Sequence, residues 1–259
     1  MSEDLRQLLD VARRAARQAS AAILEIYAAP FDVRRKDDAS PVTEADERAE
    51  RIILAALAAA TPAIPVIAEE LVAAKGAPEQ APPRFWLVDP VDGTKEFIAK
   101  NGEFSVNIGL VEGAKPVLGV IHVPVTNVTY AAAGHGTATR QEGDAPPVPI
   151  AVRPVPPSGA VVAQSRSHRD GERMRAYLAN LAAPQTRISG SSIKFCLVAE
   201  GSADLYPRFG TTMEWDTGAG QAIVEAAGGS VVTLDGAPLR YGKPQFRNTD
   251  FIVRGRVTG

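Results

Sequence analysis

Soft metal ligands and thiol pairs are nearly absent from this chain. Its 259 residues contain one cysteine, Cys196, and three histidines, His122, His135 and His168, far apart in sequence and in no ligand spacing. Zinc, haem and iron–sulfur sites are therefore poor readings. A single thiol makes no disulfide within the chain, and Cys196 inside Ile193-Lys194-Phe195-Cys196-Leu197-Val198 reads as a small core residue. The lack of thiol pairs fits a reducing compartment. Charge of one sign is also lacking: 28 Lys plus Arg against 30 Asp plus Glu leave a net charge of −2. No bulk affinity for a nucleic acid polymer follows, although a local basic pocket for a small phosphorylated ligand stays compatible. No apolar stretch reaches the roughly 18 to 20 residues of a membrane span. The start, Met1-Ser2-Glu3-Asp4, has no basic region leading into an apolar core, so no secretory signal is expected. These absences predict a soluble cytoplasmic protein. A peripheral seat on the cytoplasmic face of the inner membrane stays compatible, and nothing marks an oligomeric state.

What is present suffices for a large core, with 45% of residues hydrophobic and a length suited to one big domain or two smaller ones. Leu5, Leu8, Leu9, Ala12, Ala16, Ala19, Ile23 and Ile26 recur at three- and four-residue spacing, which predicts an amphipathic helix over 2–28. A second helix is predicted over 43–60. Short apolar runs at 65–68, 85–88, 104–111, 116–123 and 128–133 read as strands, with Glu112-Gly113 and Pro124 to Asn127 as turns. Six prolines between Gly143 and Gly159 mark loop or edge strand and a domain boundary. Beyond them strands at 161–163, 203–206 and 231–234 alternate with helices at 169–181, 191–199 and 215–227. The expectation is an α+β chain in two halves: 1–148, two long helices on an antiparallel sheet, and 149–259, a smaller α/β half.

The most informative run is Trp86-Leu87-Val88-Asp89-Pro90-Val91-Asp92-Gly93-Thr94, in which an apolar strand ends in two carboxylates, a glycine and a hydroxyl. Two anionic oxygens brought together repel unless a cation or a proton sits between them, and a hard cation such as Mg²⁺ suits oxygen ligands. Three other segments complement it. Glu69-Glu70 follows the run Val66 to Ala68, so that one of the pair continues the strand's inward direction; alone, such a pair is usually a solvated loop. Thr43-Glu44-Ala45-Asp46 heads the second helix and, taken alone, reads more simply as a capping box. Asp216 in Glu214-Trp215-Asp216-Thr217-Gly218-Ala219-Gly220 could be only a cap, but two glycines in a first helical turn weaken it and suggest a close approach to the backbone.

Taken in order, Lys36, Ser40-Pro41-Val42-Thr43 with Asp46, Glu69-Glu70, Asp89-Pro90-Val91-Asp92-Gly93-Thr94 and Trp215-Asp216-Thr217 with Gly220 resemble the signatures of the Mg²⁺-dependent, Li⁺-sensitive inositol monophosphatase superfamily. The resemblance spans nearly the whole chain. Gly93-Thr94-Lys95-Glu96-Phe97-Ile98, and the stretch from Gly190-Ser191-Ser192 through Tyr206-Pro207-Arg208-Phe209, are similar to one branch of it, the CysQ-type 3′(2′),5′-bisphosphate nucleotidases.

This resemblance implies a layered αβαβα fold with the site between the halves. It implies that Glu69, Asp89, Asp92, Asp216 and the carbonyl of Val91 bind two or three Mg²⁺ ions. Gly93 and Thr94 would offer backbone N–H groups to the scissile phosphate. Thr94, supported by Asp46 and assisted by Glu69 or Glu70, would orient a water for in-line attack without a phosphoenzyme. Rival phosphatase chemistries fail on spacing. An Asp-x-Asp-Gly-Thr site is broken by Pro90, and a cysteine phosphatase needs an Arg where Ser202 stands. A second phosphate on the substrate needs a cation away from the metals, for which Arg208 and Lys194 are the candidates, each equally readable as a surface charge or a structural pair. Ser191 and Ser192 either contact phosphate or cap the next helix. The leading expectation is hydrolysis of 3′-phosphoadenosine 5′-phosphate to AMP and phosphate, linked to sulfate assimilation. An inositol-1-phosphate or fructose-1,6-bisphosphate phosphatase is the runner-up, and a non-catalytic phosphate-binding protein the alternative of another class.

Overall fold

The structure is a computed structural model describing residues 3–36, 41–166 and 171–256. Two long helices form as the periodicity predicts: α1, Glu3–Tyr27, and α2, Glu44–Ala60. Their alanine-rich stripes bury Ala12, Ala15, Ala16, Ala19, Ala45 and Ala49, so the two backbones pack closely. They lie on one face of a seven-stranded sheet whose strands, Val66–Ala68, Arg84–Asp92, Ser105–Glu112, Lys115–Val123, Val128–Ala133, Thr139–Glu142 and Val148–Pro149, are neighbours in chain order. Only the first pair is parallel. The strands at 139–142 and 148–149 carry no apolar alternation, which is why the sequence does not disclose them. The last one straddles the expected 148/149 boundary, because the Pro-rich edge still pairs with the large sheet.

Two expectations are corrected at the sheet edge. Strand 84–92 does not stop at Val88; it runs on to Asp92, with Asp89 opposite Asn107, Asp92 opposite Ser105, and a register shift between. Pro90 has no N–H to give to a ladder, so the chain bulges there and resumes. Glu69 and Glu70 do not continue the strand before them. They open a seven-residue helix, α3, Glu69–Lys75, and a five-residue helix, α4, Thr94–Ile98, follows Gly93.

The second sheet has the order Gln185–Ser189, Val161–Ser165, Leu205–Arg208, Phe251–Arg254, Ser230–Thr233, and is mixed in direction. Helix α5, Gly171–Ala179, touches it through Tyr177 on Phe209; the predicted start of this helix, at 169–170, lies outside the described residues. Between the sheets run α6, Ile193–Ala199, and α7, Gly218–Ala226, burying Phe195, Cys196, Ile223 and Val224 against Ile121 and Tyr130 on one side and Tyr206, Phe251 and Val253 on the other. The result is an αβαβα layering. Gly109 and Gly119 are paired across adjacent strands, and a Cβ on Gly119 would come within 2.2 Å of the carbonyl of Ala219. The backbone of α7 therefore rests directly on the large sheet. Its own glycines serve packing too: a Cβ on Gly218 would meet Leu87 at 2.8 Å and one on Gly220 the ring of Phe195 at 2.4 Å. The close approach read from these glycines is made by protein, not by a ligand.

Candidate active site

Where the first strands of the large sheet end, facing the start of α6, the chain leaves a cavity of about 460 Å³. Glu69, Asp89, Val91, Asp92, Gly93, Thr94 and Asp216 line it together with Ser191, Ser192, Lys194, Tyr206 and Arg208. These residues come from five separate segments and are thus brought to one place. Ser40 and His168 lie outside the described residues.

The acidic part of the lining is built from local devices. Asp46 closes the capping box of α2, its Oδ2 accepting from the N–H of Thr43 at 2.8 Å and from the Thr43 hydroxyl at 2.7 Å. Its Oδ1 remains to receive the Thr94 hydroxyl at 3.4 Å, so the cap and the site share one side chain. Thr94 Oγ1 also lies 3.3 Å from the carbonyl of Val91. Asp89 accepts from the Val91 N–H at 3.0 Å, which turns the chain at the bulge. Asp92 accepts from the N–H and hydroxyl of Ser192 and from Asn107 Nδ2 at 3.3 Å. Asp216 sits in a short 3₁₀ turn, Glu214–Asp216, ahead of α7 and accepts from the Met213 N–H at 2.8 Å. Lys36 bridges Glu69 and Glu70 at 2.6 Å each.

Concentrated negative charge shows in the acidities. Burial, then Glu69, Asp92, Asp216 and Asp46, push Asp89 well above the usual carboxylate range, and burial with Asp92 and Glu69 does the same to Asp216. Burial raises Asp46 to about 6 against its two Thr43 bonds, and burial with Glu69 raises Glu70 to about 7. Among the described residues no three acidic side chains close on one point as a ready-made cation cage. They line the cavity as a set of hard oxygen donors whose mutual repulsion a divalent cation would relieve, and the residues fit such an ion.

The lining also carries positive charge. Lys194 is buried, its ammonium donating to the carbonyls of Ser191 and, at 3.4 Å, Ser189, and burial lowers its pKa to about 8. That ammonium holds the 189–191 turn. Arg208 is also buried and donates from one terminal nitrogen to the Thr211 carbonyl at 3.3 Å, while its Nε has no protein partner. Of the two cations expected for a second phosphate, Arg208 has the donor to spare. Ser192 makes no side-chain cap on α6; its hydroxyl lies 2.9 Å from the Asp216 carbonyl. Ser191 adopts a left-handed backbone, φ 46°, directly across from Gly93.

Sequence reasoning missed Asn107, which joins Asp92 to Ser192 Oγ at 2.7 Å. Its signal was there: one buried amide within an otherwise apolar strand. Glu214, given no role by the sequence, is fully buried and accepts from the N–H groups of Gly242 and Lys243 and from Lys243 Nζ at 2.6 Å, anchoring the turn that carries Asp216.

The profile described as the Inositol monophosphatase family matches residues 4–254. The chain belongs to the inositol monophosphatase family. It is 48% identical over 258 residues to the 3′(2′),5′-bisphosphate nucleotidase CysQ of Escherichia coli O157:H7, and 49% over 249 residues to that of Salmonella typhimurium, covering 95% of this chain and 99% of the relative in both cases. The crystal structure of CysQ from Bacteroides thetaiotaomicron, 38% identical, superposes with a TM-score of 0.81 over 96% of this chain and 97% of that one. Inositol monophosphatase family members are generally metal-dependent phosphatases. Among the described residues no helix is long and apolar enough to cross a membrane.

Proposed function

We propose that this family member is a Mg²⁺-dependent 3′(2′),5′-bisphosphate nucleotidase that converts 3′-phosphoadenosine 5′-phosphate to AMP and phosphate, serving sulfate assimilation. The observation that carries the reading is one cavity lined both by a set of carboxylates and by the buried cations Lys194 and Arg208, the complement of a cation-bound ligand with a second phosphate. Its support is identity near one half, over almost the full length, to relatives named for that activity.

In this reading Glu69, Asp89, Asp92, Asp216 and the Val91 carbonyl hold two or three Mg²⁺ ions. Such ions, when bound, neutralise phosphate oxygens and ease ionisation of water. Thr94, aligned by Asp46, orients the attacking water, with Glu69 or Glu70 assisting. The N–H groups of Gly93 and Thr94 take the scissile phosphate. Arg208 takes the second phosphate, and Lys194 holds the turn that presents Ser191 and Ser192. The half 1–148 supplies most cation ligands, and the half 149–259 the recognition of substrate.

Phosphate release from 3′-phosphoadenosine 5′-phosphate, inositol 1-phosphate and fructose 1,6-bisphosphate, compared with Mg²⁺, with chelator and with Li⁺, tests this. Mg²⁺-dependent, Li⁺-inhibited turnover favouring the nucleotide is expected. Preference for a sugar or inositol phosphate overturns the substrate and keeps the metal site, whereas no turnover of any substrate favours a binding protein.

A further inference from the structure

Helix α3 carries Glu69 and Glu70 into the cavity, yet it has little to hold it. It is seven residues long, buries none of them, and its N-cap, Ala68, has no side chain able to cap it. Leu71 and Val72 lean on the core without being fully buried, and a short helix without a cap frays at its first turn, where the two glutamates sit. One buried group repairs this. Glu50 lies one helical turn beyond Asp46 on α2, is 5% exposed, and its carboxylate accepts from the Glu70 N–H at 2.8 Å and from the Leu71 N–H. Among the described residues no other partner explains so deeply buried a carboxyl group.

We propose that Glu50 is a positioning residue: its carboxylate stands in for the missing cap of α3 and fixes Glu69 in the place from which it holds a divalent cation. Helix α2 thereby sets both parts of the chemistry, Asp46 toward Thr94 and, four residues on, Glu50 toward the segment bearing Glu69. The inference rests on the metal-site reading above.

The test compares wild type, Glu50→Ala and Glu50→Gln as full-length proteins. Amide hydrogen exchange over 69–75, Mg²⁺ binding by calorimetry without substrate, and the Mg²⁺ dependence of turnover are measured on each. In Glu50→Ala, exchange at Glu70 and Leu71 should quicken, Mg²⁺ binding should weaken about tenfold, the scale seen when groups behind metal ligands are lost, and excess Mg²⁺ should recover kcat. Glu50→Gln keeps one acceptor and should restore most of the binding; it also decides the matter should the alanine variant fail to fold. Wild-type exchange and Mg²⁺ affinity in a folded Glu50→Ala protein, or a lowered Tm as the sole change, overturn the proposal. Absence of Mg²⁺ binding by wild type itself would instead sink the metal-site reading, and the ligand-positioning role with it.

Discussion

Buried carboxylates are treated in opposite ways in the cavity and in the scaffold around it. Glu214 and Asp204 are each enclosed with a cation and backbone donors: Lys243, with the Gly242 and Lys243 amides, for the first; Arg153, in a two-pronged pair at 2.9 and 3.2 Å, with the Val161 amide, for the second. Asp89 is as buried and Asp216 is partly buried, yet among the described residues each receives one amide and neither is in an ion pair. The scaffold satisfies its charges; at Asp89 and Asp216 the cavity leaves carboxylates facing one another with little to offset them. Strain of that kind is retained where a ligand relieves it.

Neutralising a cavity carboxylate should separate the two behaviours most sharply. Asp89→Asn should lower turnover by about a thousandfold or more if Asp89 is the cation ligand proposed above, while raising the Tm of the chelator-treated protein because a repelling charge is gone. A fall in that Tm would show Asp89 to be as well satisfied as Glu214. The converse change is Lys243→Met, which strands the buried Glu214 carboxylate. It should cost about 3 kcal/mol in urea unfolding, and an unchanged midpoint would break the contrast.

A smaller effect comes from His122, a scaffold group buried between Ser20 and Thr129 and lowered by burial to about 4. The unfolded chain takes up this proton below about 6.5 while the folded chain refuses it until about 4. Stability should therefore be complete above that upper value and be lost as pH falls through the window, by about 2 kcal/mol at pH 5. Unfolding of His122→Gln followed against pH should lack this component; an identical slope would place the acid sensitivity elsewhere. Within the cavity, Arg208→Met should weaken use of the bisphosphate by about tenfold, as for loss of one charged hydrogen-bond partner, and spare simple monophosphates. Equal losses on both would remove Arg208 from the second-phosphate site.

The legible parts of the site were those with local signatures. Asp89 and Asp92 stand out at the end of an apolar run, Asp46 lies in a capping box, and Asp216 precedes two glycines. The capping and the catalytic readings of Asp46 looked like rivals, but one carboxylate oxygen is bonded to Thr43 and the other to Thr94, so the cap does not exclude the proposed role. The illegible parts depended on distant partners. Nothing near Glu50 in sequence points to Glu70, twenty residues away, and nothing near Glu214 points to Lys243. Strand 84–92 outran its apolar stretch because pairing with Ser105–Glu112 carries it past Pro90.

By itself, then, the sequence determined the two amphipathic helices, the central strands, the absence of soft metal ligands and the order of the acidic motifs. Each of these is written in periodicity or in chemistry within a few neighbouring residues. Tertiary structure alone decided that the backbone of α7 lies against Gly109 and Gly119, that Lys194 is engaged by backbone carbonyls while Arg208 keeps a free donor, and that α3 is capped from α2. Such contacts join groups far apart in the chain, and their energies depend on burial and distance, which no local pattern records.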